Sequence, residues 1–88
     1  QPQIHFFYVL QCRDNTFYAG YTIDINRRLK EHNNGIGAKY TRLEKRRPVI
    51  MIHTERFSSK SAAMKQEYAF KQLSRAEKER YLSCPFSL

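Results

Sequence analysis

Arg28 and His32 are the residues of the segment FYAGYTIDINRRLKEH, residues 17–32, whose types and spacing could act on an anion. They are four positions apart, so on a helix both side chains project from the same side. A planar guanidinium that is held in one place can bind an anionic group with two hydrogen bonds. An imidazole can carry a proton near neutral pH. The spacing therefore indicates that the two side chains project together, and it leaves open whether either does chemistry.

The two adjacent arginines of this segment differ in where a helix would place them. Counting about 100° per residue, Ile25 and Leu29 form a buried stripe, and His32 borders it. Arg28 lies one step further out, at the edge of the core, whereas Arg27 points to water. Only the second arginine is thus predicted to contribute to a site.

Two tyrosines lie in strand-like segments, IHFFYVLQC and FYAGY, which flank the short polar break RDNT. This pattern is typical of a β-hairpin. A three-residue loop with Asn15 in the left-handed region pairs Tyr8 with Gly20 and places Tyr8 and Tyr18 on one face. A two-residue loop pairs Tyr8 with Tyr21 instead and separates the two tyrosines. The length of the loop therefore decides whether Tyr8 and Tyr18 can act together.

The remaining elements must bring further side chains to these residues. The first helix begins at Asp24, a good N-cap, and ends at NNGIG. A basic loop, KYTRLEKRR, leads to the strand VIMIHTERF. A second long helix is predicted over residues 59–73, with Glu67 at the edge of its apolar arc. Ser74 and Glu77 match a capping box, which predicts a short final helix.

The charge of the chain favours a polyanion as its partner. The 88 residues suit one domain, 1–88, and carry a formal net charge of +8, with 16 Lys and Arg against 8 Asp and Glu. Apolar runs such as FFYVL are far shorter than the roughly 20 residues that span a bilayer, so nucleic acid is favoured over a membrane. Cys12 and Cys84 are far apart and indicate neither a disulfide framework nor a metal site, which favours a cytoplasmic location.

The order of these motifs resembles the GIY-YIG nuclease family. The stretches YVLQCRDNTFYAGYT, RRLKEHNNGIGAKYT and EYAFKQLSRAEKER are similar to the small single-domain bacterial branch of that family, and the likeness covers nearly the whole chain. Phe6 and Phe7 replace the Gly and Ile of the first triplet, and Ala19 replaces the Ile of the second. Both tyrosines are retained.

The resemblance implies a fold, a reaction and a set of residues. The fold would be α/β in the sense of α+β, a small three-stranded and mainly antiparallel sheet flanked by helices. The reaction would be hydrolysis of a phosphodiester in DNA or RNA, with DNA favoured, by an endonuclease that uses a single divalent metal, Mg²⁺ or Mn²⁺. The implied catalytic residues are Tyr8, Tyr18, Arg28, His32 and Glu67, and Glu67 would also hold the metal.

Chemical roles can be assigned to these residue types. Arg28 would bind the charge that develops on the phosphate, and Glu67 is a hard oxygen ligand for the metal. Tyr8 could accept a proton from water only if nearby positive charge lowered its pKa from about 10. Tyr18 would orient the base or the water. Three further residues are expected to contact the substrate, by close backbone approach or by charge: Gly20, Lys39 and Arg42.

Other interpretations remain open. Both tyrosines could be packing residues, Arg28 could cover the core rim, and Glu67 could simply pair with Lys71 four residues later. The main rival function is a basic module on the same fold that binds nucleic acid without cleaving it. A weaker rival is a basic domain that binds an acidic protein. Specificity could come from a homodimer or a protein partner.

Overall fold

Three antiparallel strands form the sheet around which the chain is arranged. The computed structural model describes residues 3–83. The strands are ordered β2-β1-β3, so the first strand of the chain is central. The elements in chain order are β1 (His5–Gln11), β2 (Phe17–Thr22), α1 (Ile25–Asn33), α2 (Lys39–Arg42), β3 (Ile50–Phe57), α3 (Lys60–Lys71) and α4 (Arg75–Ser83). A 3₁₀ turn at Glu44–Arg46 lies between α2 and β3.

The hairpin has the three-residue loop that brings the tyrosines together. Asn15 adopts φ 68°, and the Cys12 backbone N–H donates to the carbonyl of Thr16 at 2.8 Å. Tyr8 pairs with Gly20 across the two strands. Because side chains alternate along a strand, this register places Tyr8 and Tyr18 on the same face of the sheet. The first of the two predicted registers is confirmed.

Each face of the sheet is covered by a different helix. On the α3 face, Phe7, Val9 and Ala19 pack against Phe70 of α3. The α1 face is covered by Leu29 of α1 and its buried residues are Tyr8, Leu10, Cys12 and Val49. β1 is apolar on both faces, and because successive side chains point to opposite faces it contributes to two small cores, one on each side.

The helix boundaries follow from local capping. Asp24 accepts a hydrogen bond from the backbone N–H of Arg27 at 3.1 Å and begins α1. Ser74 and Glu77 each accept from the other's backbone N–H, at 3.2 Å and 2.8 Å, so the predicted capping box is present. Tyr81 of α4 donates to the Glu55 carboxylate of β3, which ties the last helix to the sheet.

The basic segment between α1 and β3 contains more structure than the sequence indicated. The sequence predicts a loop here, but the segment forms α2 and the 3₁₀ turn. Gly37 and Thr41 of this segment contact His32 near the end of α1. Cys12 is buried and has a free thiol, whereas Cys84 lies outside the described residues. Within residues 3–83 no helix combines the length and apolar character needed to cross a membrane.

Candidate active site

Tyr8 is fully buried at the centre of the candidate site, and its position depends on a glycine. A Cβ atom placed on Gly20 would lie 2.4 Å from the Tyr8 hydroxyl oxygen and 2.6 Å from Cζ. No real Cβ tolerates such distances. The phenol therefore occupies the space that a side chain at position 20 would need. This gives a structural reason for the glycine, and its predicted contact with substrate stays a prediction.

Replacing Gly20 by alanine is expected to push the Tyr8 ring out of its place and to destabilise the fold by about 1–3 kcal/mol, the usual cost of overpacking. Urea unfolding of G20A measures the loss. In a Tyr8→Leu background, where the clashing atoms are absent, the same substitution should have a much smaller effect. Equal losses in both backgrounds would show that the Gly20–Tyr8 contact is not the cause.

His32 bonds to Tyr8 on one side and to the segment after α1 on the other. Its Nε2 is 2.9 Å from the Tyr8 hydroxyl, and its Nδ1 is 2.7 Å from Oγ1 of Thr41. His32 and Thr41 are both fully buried. The helical pattern of α1 placed His32 at the border of the core, but residues 37–41 cover its outer side and bury it completely.

Arg28 is held at two of its three nitrogens. Its Nε donates to the Tyr8 hydroxyl at 3.3 Å, and Nη1 donates to Glu31 at 3.0 Å. Nη2 has no hydrogen-bond partner among residues 3–83. The side chain is 28% exposed, whereas that of Arg27 is 62% exposed. The predicted difference between the two arginines is therefore present, and Arg28 keeps one nitrogen for a ligand.

Burial keeps the Tyr8–His32 pair neutral. It raises the pKa of Tyr8 from 10.0 to about 12, and this effect outweighs the hydrogen bond from Arg28, which lowers it. The pKa of His32 is lowered from 6.5 to about 4, chiefly by burial and secondly by the nearby charge of Arg28. A lowered pKa for Tyr8, the condition for its use as a base, is not met in this structure. The phenol retains its proton at neutral pH.

The pKa of His32 implies that the fold weakens in acid. In the unfolded chain His32 has a pKa of 6.5, whereas in the folded chain its pKa is about 4. Stability from this group is therefore fully present above pH 6.5 and is lost as the pH falls towards 4, by about 3 kcal/mol in total. Urea unfolding between pH 7.5 and 4 measures this loss. His32→Gln should lose less stability over the same range, and parallel curves would contradict the assignment.

Tyr18 lies beside this pair and is more accessible. Its ring centroid is 5.3 Å from that of His32 and 5.6 Å from that of Tyr40, on which it stacks. It is half-buried, and its hydroxyl has no hydrogen-bond partner in the described part of the chain. Tyr18 is therefore held by its ring, and its oxygen can contact a ligand. Tyr40 has a packing role, since the guanidinium carbon of Arg46 lies over its ring at 3.7 Å from the centroid.

Glu67 reaches the site from a helix on the other face of the sheet. Phe70 packs α3 against Phe7, Val9 and Ala19, on the face of the sheet opposite to the one that α1 covers. The Glu67 carboxylate is nonetheless near enough to the Tyr8 phenol for its charge to raise the pKa of Tyr8. Lys71, which pairs with Glu67 at 2.8 Å, lies 5.9 Å from the ring centroid of Tyr18. This turn of α3 thus lies at the β2 edge, beside the tyrosines.

The side chains around Glu67 fit a metal ion held by one protein ligand. Among residues 3–83 no group of three or more His, Cys, Asp or Glu side chains could enclose an ion. Glu67 uses Oε2 for Lys71, and Oε1 has no hydrogen-bond partner among the described residues. A hard carboxylate oxygen suits Mg²⁺ or Mn²⁺, with water and a substrate phosphate as the other ligands.

Basic side chains surround a shallow cavity next to the end of α1. The cavity measures about 560 Å³ and is lined by three cations, one carboxylate, an amide and a proline: Arg13, Lys45, Arg47, Glu44, Asn33 and Pro48. Arg47 is used structurally, since its Nη2 donates to the carbonyl of Arg42 at 3.1 Å. Lys39 and Arg42, the cations predicted to contact substrate, are exposed on α2.

The structure brings Tyr8, Tyr18, Arg28 and His32 into one cluster, with Glu67 at its edge. Sequence reasoning missed Thr41, which bonds to His32, and Glu31, which holds Arg28. The spacing of Glu31, three residues after Arg28 on a helix, could have indicated the second contact. No local pattern indicated the first, because Thr41 follows α1 in a segment without periodicity.

Comparison with known proteins shows which family the chain resembles. A family model described as the GIY-YIG catalytic domain matches residues 4–81. The chain is 65% identical over 78 residues to a UPF0213 protein of Enterococcus faecalis, with 89% of each chain covered. It is 59% identical over 76 residues to a UPF0213 protein of Halobacterium salinarum, covering 86% of this chain and 96% of the relative. The solution NMR structure of a UPF0213 protein from Bacillus halodurans matches with a TM-score of 0.60 at 45% identity, over 91% of this chain and 83% of that one.

Proposed function

The chain belongs to the GIY-YIG family, and from this premise we propose that it is a metal-dependent endonuclease that hydrolyses phosphodiester bonds in nucleic acid. The observation that supports the proposal best is the hydrogen bonding of the Arg28 guanidinium. Its Nε and Nη1 are fixed by Tyr8 and Glu31, and Nη2 is left without a partner among the described residues. A guanidinium that is oriented before substrate arrives suits a site where negative charge develops.

Arg28 would bind a nonbridging oxygen of the scissile phosphate through Nη2. The charge on these oxygens increases as the bond to the leaving oxygen breaks, so this contact would strengthen in the transition state. The buried contact to Tyr8 and the ion pair to Glu31 keep the side chain from reorienting. Little reorganisation is then needed at the moment of reaction.

Glu67 would hold the divalent ion, and Tyr18 would contact the water or the phosphate beside it. The ion, when bound, stabilises negative charge on phosphate oxygens. Lys71 competes for the same carboxylate, so tight binding of the ion in the absence of substrate is not expected. Tyr18 is suited to a direct contact because its ring is packed between two others and its hydroxyl is free to donate or accept.

Tyr8 and His32 would act as positioning residues in this scheme. Both are fully buried, and the phenol stays protonated because its pKa is raised. The Tyr8 oxygen accepts the hydrogen bond from Arg28, and His32 lies on its other side. These two residues therefore affect the phosphate through the orientation of Arg28.

Exposed cations near the site would bind the backbone of the substrate. With about four phosphate contacts, the affinity for duplex DNA should fall with salt at a log–log slope of about −3 to −4. The double variants Lys39→Gln/Arg42→Gln and Arg13→Gln/Lys45→Gln should each reduce the magnitude of this slope by about 1.8, since each contact contributes about 0.9. Fluorescence anisotropy over a salt series measures the slopes.

A matched variant tests whether position or only total charge matters. Lys65→Gln/Arg80→Gln removes the same charge from exposed sites on α3 and α4, and its slope should remain near that of the wild type. Equal slopes for all three double variants would show that binding follows net charge alone. The residues proposed to contact the backbone would then have no special role.

Cleavage of labelled oligonucleotides tests the proposed activity. Wild-type protein should cut single- or double-stranded DNA, or RNA, with Mg²⁺ or Mn²⁺ and not with EDTA. Glu67→Ala should remove metal-dependent cleavage while binding of the oligonucleotide persists. Binding without cleavage by the wild type on every substrate would favour the rival function, a non-catalytic module that binds nucleic acid.

A further inference from the structure

We infer that Thr41 is a positioning residue that fixes His32 as the tautomer protonated at Nδ1. This tautomer sets the direction of each hydrogen bond in the chain of side chains that links Thr41 to Arg28. The inference deepens the proposed function, on which only its kinetic consequence rests. It starts from a continuous buried chain of contacts. The chain runs from Arg28 Nε through Tyr8 and His32 to Thr41.

The donors at the two ends of this chain determine its direction. A guanidinium N–H can only donate, so the Tyr8 oxygen accepts from Arg28 at 3.3 Å. The hydroxyl proton of Tyr8 then needs an acceptor, and His32 Nε2 is 2.9 Å away. An Nε2 that accepts carries no proton, and because burial keeps His32 neutral its proton is on Nδ1.

Thr41 is placed to accept that proton. Its Oγ1 is 2.7 Å from His32 Nδ1 and 3.3 Å from the backbone carbonyl of Ala38. The threonine hydroxyl can donate to the Ala38 carbonyl while its oxygen accepts from Nδ1. Each contact from Arg28 Nε through Tyr8 and His32 to Thr41 and Ala38 then pairs one donor with one acceptor, which is the condition that buried groups normally meet.

The opposite arrangement leaves a buried group unsatisfied. If Thr41 donated to Nδ1, the proton of His32 would lie on Nε2 and would donate to the Tyr8 oxygen. That oxygen would accept from both His32 and Arg28, and its own proton would have no acceptor in the contacts of this fully buried phenol. An unsatisfied buried donor is costly. The first arrangement is therefore favoured.

Residues 37–41 also fix the plane of the imidazole. A Cβ atom on Gly37 would lie 2.7 Å from Nδ1 and 2.9 Å from the Cα of His32, so the backbone at Gly37 lies directly against the histidine. On the other side the ring of Tyr18 approaches to a centroid distance of 5.3 Å. The ring therefore has little room to rotate away from Thr41.

A consequence for the reaction follows from this direction. Because Tyr8 donates to His32, a lone pair of its oxygen is available to Arg28. If the tautomer reversed, Tyr8 Oη would gain a second donor, its own proton would compete for a new partner, and the contact that orients Arg28 would weaken. Thr41 would thus act on the phosphate through three intervening side chains.

The tautomer can be measured without any assay of activity. In wild-type protein with ¹⁵N-labelled histidine, two-bond ¹H–¹⁵N correlation spectra at pH 7 should show His32 with a protonated Nδ1 and an unprotonated Nε2. Thr41→Ser, which keeps the hydroxyl, should show the same pattern. Thr41→Val, which keeps the shape and removes the acceptor, should change it. A protonated Nε2 in the wild type would overturn the inference whether or not the protein is a nuclease.

Kinetics separate a positioning role from a purely structural one. In Thr41→Val we expect kcat to fall by roughly 10- to 100-fold, by analogy with the loss seen when the partner that orients a metal-bound histidine is removed, with KM unchanged. Thr41→Ser should retain most of the wild-type kcat. Thr16→Val, at a threonine that bonds Asp14 in the hairpin loop, serves as the matched control and should change neither readout.

Wild-type kcat and an unchanged His32 spectrum in Thr41→Val would overturn the proposal. So would equal losses in Thr41→Ser and Thr41→Val, because the hydroxyl would then have no specific role. If Thr41→Val does not fold, the wild-type and Thr41→Ser spectra still decide the tautomer. If no variant cleaves any substrate, the spectra test the inference while the proposed function fails separately.

Discussion

Tyr8→Phe is expected to lower the rate of phosphodiester cleavage by roughly 100-fold, the size of effect that a misplacement of about 1 Å in a catalytic group can have. The substitution removes one oxygen atom from a fully buried ring. Without it, Arg28 Nε and His32 Nε2 both lose their partner, and the guanidinium is held by Glu31 alone. We therefore expect kcat to fall much more than KM rises.

Single-turnover cleavage with excess enzyme measures this effect, since it reports on the chemical step. Tyr81→Phe is the matched control, because Tyr81 also has a hydrogen-bonded hydroxyl, to Glu55 and Gln66, but lies away from the site. It should lose some stability and keep the cleavage rate. Equal rates for Tyr8→Phe and wild type would show that the phenol oxygen has no part in the reaction.

Arg28→Lys is expected to reduce cleavage by roughly 10²- to 10³-fold, as removal of one oriented donor to a developing negative charge does in other enzymes. Lysine keeps the positive charge but has neither an Nε–H for Tyr8 nor the planar arrangement of donors. All its donors are on one nitrogen, so it cannot reproduce the separate positions from which Arg28 contacts Tyr8 and Glu31 and presents a donor to phosphate. The loss should therefore be in the chemical step, and the affinity for the oligonucleotide should change little.

Arg27→Lys provides a control at the neighbouring position. The side chain of Arg27 is 62% exposed, and among residues 3–83 it makes only a long ion pair with Glu31, at 3.8 Å. Its replacement should therefore leave cleavage near the wild-type rate. The two variants have the same net charge and lie on the same helix. Equal activities for both would mean that Arg28 acts through charge alone, or has no direct role.

The sequence was sufficient to predict the elements that carry the site. Asn15 tolerates the left-handed backbone that a three-residue loop requires, and this local preference set the register that places Tyr8 and Tyr18 on one face. Helical periodicity correctly separated Arg28 from Arg27. These predictions succeeded because each depends on neighbouring residues and on a fixed repeat of side-chain directions.

The environment of His32 could not be predicted in this way. Its burial depends on residues 37–41, which fold back over α1 and whose sequence has no clear period. The pKa of Tyr8 also depends on packing. The sequence predicts that nearby positive charge could lower this pKa, but in the fold the burial of the phenol has a larger effect than the hydrogen bond from Arg28. Tertiary contacts decide both properties.

The position of Glu67 was only partly predictable. Its place at the edge of the apolar arc of α3 was correct, and the ion pair with Lys71 that the spacing allowed is present. Which face of the sheet α3 would cover could not be read from the helix itself, because both faces of β1 are apolar. The link between this carboxylate and the tyrosines came from the resemblance to the GIY-YIG family.

The most direct test of the account is to locate a bound Mn²⁺ ion by its paramagnetic effect on the NMR spectrum. ¹⁵N-labelled protein is mixed with a short oligonucleotide that carries a non-hydrolysable phosphate linkage, and Mn²⁺ is added in small amounts. We expect amide signals to broaden around Glu67, Tyr8, Tyr18 and Arg28, and much less in Glu67→Ala. Broadening centred elsewhere on the protein, or unchanged in Glu67→Ala, would contradict a single site at which these residues, the ion and the phosphate meet.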